Sequence, residues 1–312
     1  MNEAFALGEL VLGAFLAVWA TDRLLAGLVG LARFLPVSVF AAGALLSGFE
    51  VENVAVGIAA GLDRADEIAL GSVFGGAIFL VCAALGAGAL IAPLRVRLPR
   101  SFVLLLVAAP LAAGIGIAGE RTGPAAGVVL LVLFAAAMTH LVHRSRDEGF
   151  GLDAEVEEEL GHPRSRPVVL ALTLLGLVGV ALGGKLVADG AESITAGFGL
   201  APLFVGMVVA PAAVELEEIA RQAVPARRGH PEVSAANLVG TQLYFCLFTL
   251  GVLSLTVPIE IDPRVRSFDW PFLVGASALA AVFLWRGRVG RREGAVLVAL
   301  YLVYAALRAA AA

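Results

Sequence analysis

Two short acidic clusters stand where a chain this apolar should carry no charge. The first is Glu50, Glu52 and Asn53, and the second is Glu215, Glu217 and Glu218. An ionised carboxylate in hydrocarbon costs several kcal/mol, so acids inside a bilayer face a polar cavity and partner a cation or a proton. Nearby oxygen and amide donors come from Ser47, Ser72, Asn237, Thr241 and Gln242. Hard oxygen ligands without His or Cys suit Na⁺, Ca²⁺, Mg²⁺ or a proton rather than a soft transition metal. The bland alternative is that the acids sit among lipid headgroups or are neutralised by Arg221, one helical turn further on.

The elements that position these residues follow from composition. Of 312 residues, 60% are hydrophobic and 15% charged, and mean hydropathy is +0.92, which leaves too little polar surface to cover a soluble globule. Segments such as 101–118 and 167–183 run without a charge and without the alternation of a β-barrel strand. The expected class is therefore all-α and integral to the membrane, with about ten transmembrane helices. Spans are predicted over 4–32, 36–61, 67–93, 101–118, 124–143, 167–190, 201–225, 232–257, 269–286 and 292–309. The first charges are Glu3 and Glu9, so the first apolar segment reads as a retained helix rather than a cleaved signal. Cys82 and Cys246 lie inside apolar runs and read as small buried hydrophobes.

A polar interval at 144–166 divides the chain into a first five-helix half, 1–143, and a second, 167–312. Its acids Asp153, Glu155, Glu157, Glu158 and Glu159 lack the spacing of a Ca²⁺ loop and read as a solvated linker. With the N-terminus outside and this linker cytoplasmic, most loop arginines fall on the cytoplasmic side, and only Arg64, Arg121, Arg264, Arg266 and Arg308 fall outside. An odd number of spans per half makes any repeat an inverted one. Such a repeat is visible: Ser47–Phe79 aligns without gaps, at an offset of 165, with Ala212–Tyr244. Glu50 then meets Glu215, Glu52 meets Glu217, Asn53 meets Glu218 and Gly75 meets Gly240.

Depth and direction narrow the site. Both clusters lie about fifteen residues beyond a proline, Pro36 or Pro202, which at about 1.5 Å per residue carries them past mid-span. Glu50 shares a helix face with Asn53, and Glu215 with Glu218, whereas Glu52 and Glu217 point away by about 200°. In the spans that follow, small residues in Gly71-Ser-Val-Phe-Gly75-Gly76 and Ala236-Asn237-Leu-Val-Gly240-Thr241-Gln242 allow close helix approach.

At these residues the chain resembles the cation/Ca²⁺ exchanger superfamily, whose Na⁺/Ca²⁺, K⁺-dependent and H⁺-coupled members carry two inverted alpha-repeats. Each repeat is a Thr-Ser-x-Pro-Glu helix followed by a Gly-Asn-x-x-Gly-Ser-Asn helix, and the matching cores here are 36–93 and 201–257. The resemblance implies a secondary active antiporter in which the repeat glutamates, with hydroxyl and amide neighbours, hold the ions. It also implies alternating access by two slanted helices sliding over the core. Counting back from Gly71 and Ala236 puts Asn53 and Glu218 at the repeat glutamate, while counting forward from Ala210 puts Glu215, and hence Glu50, there. The proline before that glutamate is missing from both repeats, and Ser72 and Ala77 stand where the first repeat usually has Asn.

The expected function is exchange of Ca²⁺ or another small cation for Na⁺ or H⁺ through Glu50, Glu215 and Glu218, with Asn53, Ser47, Ser72, Asn237, Thr241 and Gln242 as neutral ligands. Glu52 and Glu217 are secondary acids. An H⁺-coupled or monovalent exchanger without Ca²⁺ selectivity is the nearest competitor. An intramembrane enzyme using paired Glu as acid and base is the competitor from another class. No cofactor is expected. The expected partners are small cations and the bilayer of the plasma membrane, with no nucleic acid and a monomer as the working unit. Asp22, Asp189 and Lys185 read as helix-end charges, and His140 and His143 as interfacial.

Overall fold

A computed structural model describes residues 3–32, 50–148, 165–229 and 231–310. Ser47, the first part of the 36–61 span and the acids of the central linker lie outside these residues. Helix α1 is Glu3–Ala32, α2 Val51–Leu62, α3 Asp66–Ile91, α4 Arg100–Ala113 and α5 Pro124–Glu148. The second half has α6 Arg166–Phe198, α7 Pro202–Val214, α8 Leu216–Arg227, α9 Pro231–Thr256, α10 Val265–Trp285 and α11 Arg291–Ala310. Among the described residues β pairing is confined to two isolated bridges, Leu94 with Val289 and Arg121 with Glu260. Among the described residues seven helices are long and apolar enough to cross a membrane, and three shorter apolar ones are Val51–Leu62, Arg100–Ala113 and Pro202–Val214.

The segments of the two halves share their boundaries at the offset seen in the sequence: α2 with α8, and α3 with α9. Even the wide π turns recur, Phe79–Ala84 inside α3 and Tyr244–Thr249 inside α9. A π turn is rare and sacrifices regular hydrogen bonding. Its recurrence at one register therefore reflects a shared local constraint on the two helices.

Burial orders the helices around a centre. The apolar window of α3 is 100% buried and that of α9 83%, against 28–44% for the other long spans. A helix apolar on every side belongs in the middle of such a bundle, and a one-sided exposure to lipid belongs at its rim. Close approach at the centre is bought with glycine. A Cβ on Gly71 would strike the carbonyl of Gly206, and one on Gly75 would come within 2.6 Å of the Met207 carbonyl, so α3 crosses α7 backbone to backbone.

Helices α1 and α6 form a separate antiparallel pair. Gly13 abuts the Val187 backbone, Gly183 abuts Ala17, Gly179 abuts Ala20 and Gly176 abuts Leu24. Without a hydrophobic effect between helices in lipid, such small-residue seams supply the association. The pair meets the rest of the molecule chiefly through α2, where Gly184 packs on the Ala55 backbone. Lys185 on α6 also reaches Asp63, at the end of α2, at 2.8 Å, as well as its own Asp189. These groups are 36–50% exposed, in keeping with helix-end charges.

One arginine corrects the loop count made from sequence. Arg308 is not an outer loop charge but is 3% exposed inside the bundle, paired with the fully buried Asp269. Tyr304 donates its hydroxyl to the same carboxylate at 2.7 Å. A charge in an apolar interior persists only when paired and hydrogen-bonded, and this cluster ties the start of α10 to the end of α11.

Candidate ion-binding site

The 201–225 span is not the single helix the sequence suggested. It breaks at Glu215, whose φ of −90° and ψ of 5° end α7 and begin α8. Glu50 plays the matching part as the residue before α2, with φ −109° and ψ 55°. A helix terminus leaves backbone groups without intrahelical partners, which in a membrane is tolerated where the backbone lines a polar site. Acids in the first turn also suit the positive end of the helix dipole, and Glu52, Glu217 and Glu218 occupy those turns.

The break at Glu215 and the helix start at Glu50 face each other. Asn53 donates its amide to Glu215 at 2.7 Å and to Glu50 at 3.3 Å, joining the halves through one side chain. The Thr241 hydroxyl lies 3.4 Å from Glu50 and 3.5 Å from the Asn237 oxygen, able to give its one proton to either, and Asn237 donates to Glu218 at 3.1 Å. Glu50, Glu52, Asn53, Glu215, Glu218, Asn237 and Thr241 are each at most 1% exposed. Arg221 completes the ring, 3.0 Å from Glu218 and 3.4 Å from Glu50 through one nitrogen, and 2.8 Å from Glu217 through the other. Carboxylates from both halves thus converge with amide, hydroxyl and guanidinium donors in one enclosed place. Oxygen ligands fixed by amides, with a net negative charge to offset, are the kind of chemistry that can accept a small cation or a proton.

Comparison with known proteins agrees. The chain matches the family described as sodium/calcium exchanger protein over residues 5–142 and 168–310. It belongs to that family. Membership makes it a transporter of the antiporter type rather than a catalyst of covalent chemistry. Among its relatives are the inner membrane protein YrbG of Escherichia coli (strain K12), 26% identical over 97% of this chain and 96% of that protein. The putative antiporter CaxA of Alkalimonas amylolytica is 26% identical over 94% of this chain and 95% of its own length. A solved structure of the sodium-calcium exchanger NCX_Mj, soaked with Na⁺ and Ca²⁺, has 25% sequence identity and a TM-score of 0.63, covering 97% of this chain and 98% of that one.

In this exchanger-family chain the ambiguous register of the repeat glutamate loses its force. Glu50 and Asn53, and likewise Glu215 and Glu218, are one turn apart and enter the same cluster, so both ways of counting reach it. Two of the sequence candidates stay outside it. Ser72 turns back to the Ala69 carbonyl at 2.8 Å, and Gln242 donates to Ser277 at 3.3 Å and approaches Cys246. Ser72 instead lies against Gly57, where an added Cβ would come within 2.7 Å of its hydroxyl. His140 and His143 are exposed, and among the described residues no group of three His, Cys, Asp or Glu is arranged to hold a metal by itself.

Sequence reading missed Thr21. From α1 it donates to Glu52 at 2.8 Å, so the acid that points away from the centre is held by the peripheral α1–α6 pair. A threonine in an apolar helix carries no signal of its partner 31 residues away. Thr21→Val is expected to strip one donor from a buried carboxylate and cost about 1–3 kcal/mol, while Thr21→Ser retains the bond. Thermal unfolding in detergent reads this, and an equal midpoint for Thr21→Val and wild type would remove the bond from the account.

Proposed function

We propose that the chain is a secondary active cation antiporter of ten spans, built as two inverted five-helix repeats, 1–143 and 167–312. It exchanges Ca²⁺ or another small cation for Na⁺ or H⁺ through Glu50, Glu215 and Glu218, with Asn53, Asn237 and Thr241 as neutral ligands. The observation that carries this reading is the convergence of carboxylates from two matching helix starts in one buried cluster of a chain whose family is sodium/calcium exchangers. Competing cations bind alternately to one site, and neutralisation by either permits the switch in access. Three helices shorter than a bilayer fit the count, since a broken or capped span needs no full length inside a protein.

The membrane orientation has the N-terminus outside and the central linker cytoplasmic, in a plasma membrane. It is supported by the gathering of Arg95, Arg97, Arg286, Arg288, Arg291 and Arg292 around one loop pocket. An H⁺-coupled or monovalent exchanger without Ca²⁺ selectivity is favoured by one specific observation. Asn53 stands opposite Glu218, so the first half contributes one carboxylate fewer to the centre.

The test is transport by purified protein in liposomes under imposed Na⁺ or pH gradients, with Ca²⁺, Na⁺ and K⁺ offered as substrates. Cation uptake that runs only down the opposing gradient is the expected result. Uptake with no counter-ion requirement, or none of any cation, would overturn the assignment.

A further inference from the structure

The candidate site already contains a cation that belongs to the protein. Arg221 lies on α8, one turn beyond Glu217 and Glu218, and its guanidinium bridges carboxylates of both halves: Glu218 at 3.0 Å and Glu50 at 3.4 Å. Its other edge holds Glu217 at 2.8 Å. The central acids are at most 1% exposed, whereas the Glu217 side chain is 25% exposed and Arg221 itself 13%. One edge of the guanidinium therefore faces the enclosed centre, and the other faces a partner nearer the protein surface. An arginine stays charged at every working pH, and its planar fork can keep one edge bonded while the other lets go.

We propose that Arg221 is a tethered competitor of the transported cation. It occupies the position between Glu50 and Glu218, the ion enters by displacing it, and Glu217 holds it while it is displaced. The inference rests on the antiporter reading above and adds a residue that sets its specificity and affinity. Binding to a site open only part of the time is weakened in proportion to that fraction. A covalently attached guanidinium, at high local concentration, keeps the fraction low. It also supplies one positive charge that the substrate then need not supply, which biases the site against carrying the most highly charged load. The tether also fits the lopsided ligand set, in which Asn53 replaces an acid on the first half and a permanent cation is present on the second.

The experiment is equilibrium binding of radiolabelled Ca²⁺ and Na⁺ to purified full-length protein in detergent at fixed pH. Arg221→Gln is expected to tighten binding of whichever ion the wild type binds by about tenfold or more, as when a site closed about nine-tenths of the time is opened. Added guanidinium chloride should return that variant to the wild-type value, and Arg221→Lys should lie between the two. Arg227→Gln, at the exposed end of the same helix, should bind as wild type. Unchanged or weakened binding in Arg221→Gln, or no response to guanidinium, overturns the tethered-competitor role while leaving antiport standing. Should Arg221→Gln fail to fold, an Arg221→Lys affinity equal to the wild type overturns it equally. If the wild type binds neither ion, nor K⁺ in the same assay, and shows no gradient-driven flux in liposomes, the antiporter reading falls and this inference with it.

Discussion

Glu215→Gln is expected to lower gradient-driven cation flux in liposomes by about 100-fold. The substitution keeps the size of the side chain and an oxygen that can accept the Asn53 amide, now at 2.7 Å, so the bridge between the halves survives. What it removes is the charge. A charge-assisted contact to a desolvated cation contributes up to about 3 kcal/mol, and each 1.4 kcal/mol is a factor of ten. Glu50→Gln should behave alike, because Glu50 receives Asn53 and Thr241 from the same centre. Glu217→Gln provides the contrast. Its carboxylate is partly exposed and meets Arg221 rather than the amides and hydroxyl of the centre, so flux should fall by less than for either central acid, through the loss of the group that holds Arg221 aside. Flux in Glu215→Gln equal to the wild type would remove this residue from the transport site.

The pairing of the two acidic clusters was legible in the sequence because charge inside an apolar run is costly and therefore informative. The offset between the halves was legible because two Glu-x-Glu pairs at one register are hard to obtain from apolar similarity. Helical spacing separates Glu52 from Glu50 and Asn53; in the structure Asn53 bonds Glu50 and Glu52 bonds Thr21 of α1, although Glu50 itself stands before the helix. The break at Glu215 was not legible. Ala210–Val214 and Leu216–Arg227 contain no glycine, and their two prolines, Pro211 and Pro225, lie four residues before the break and ten residues past it. The break reflects tertiary contacts that local propensity does not encode. Motif position points to Ser72 and Gln242 as ligands, whereas in the structure the Ser72 hydroxyl bonds the Ala69 carbonyl of its own helix and Gln242 finds Ser277 on α10. Arg221 was read as a neutralising charge, and the structure gives it a further feature, contact with both halves at once.

The asymmetry between the halves has a mechanical side as well. Both central helices carry a π turn at the same register, but the acids above them are held differently. Glu52 is held by α1 through Thr21, whereas its counterpart Glu217 is held by Arg221 of its own helix. The α1–α6 pair thus contacts an acid of the first half directly, while the matching acid of the second half is held within α8.

The largest effect on stability should come from a cluster outside the transport site. Asp269, fully buried at the start of α10, receives Arg308 from the end of α11 and the Tyr304 hydroxyl at 2.7 Å. Removing one partner leaves the other charge unpaired in an apolar interior, so Asp269→Leu and Arg308→Met are each expected to cost about 3–5 kcal/mol. The double variant removes both charges and should recover most of that loss, since apolar side chains of similar volume often replace a buried pair without penalty. About 1 kcal/mol should remain, because Tyr304 loses its acceptor, and adding Tyr304→Phe should return it. The Arg308 guanidinium also stacks 4.9 Å from the centre of the Phe268 ring, a contact the methionine replaces with a sulfur–aromatic one. Unfolding of the four variants in detergent completes the cycle. Additive losses in the double variant would mean that Asp269 and Arg308 stabilise the bundle separately, through packing of α10 and α11, rather than as a pair.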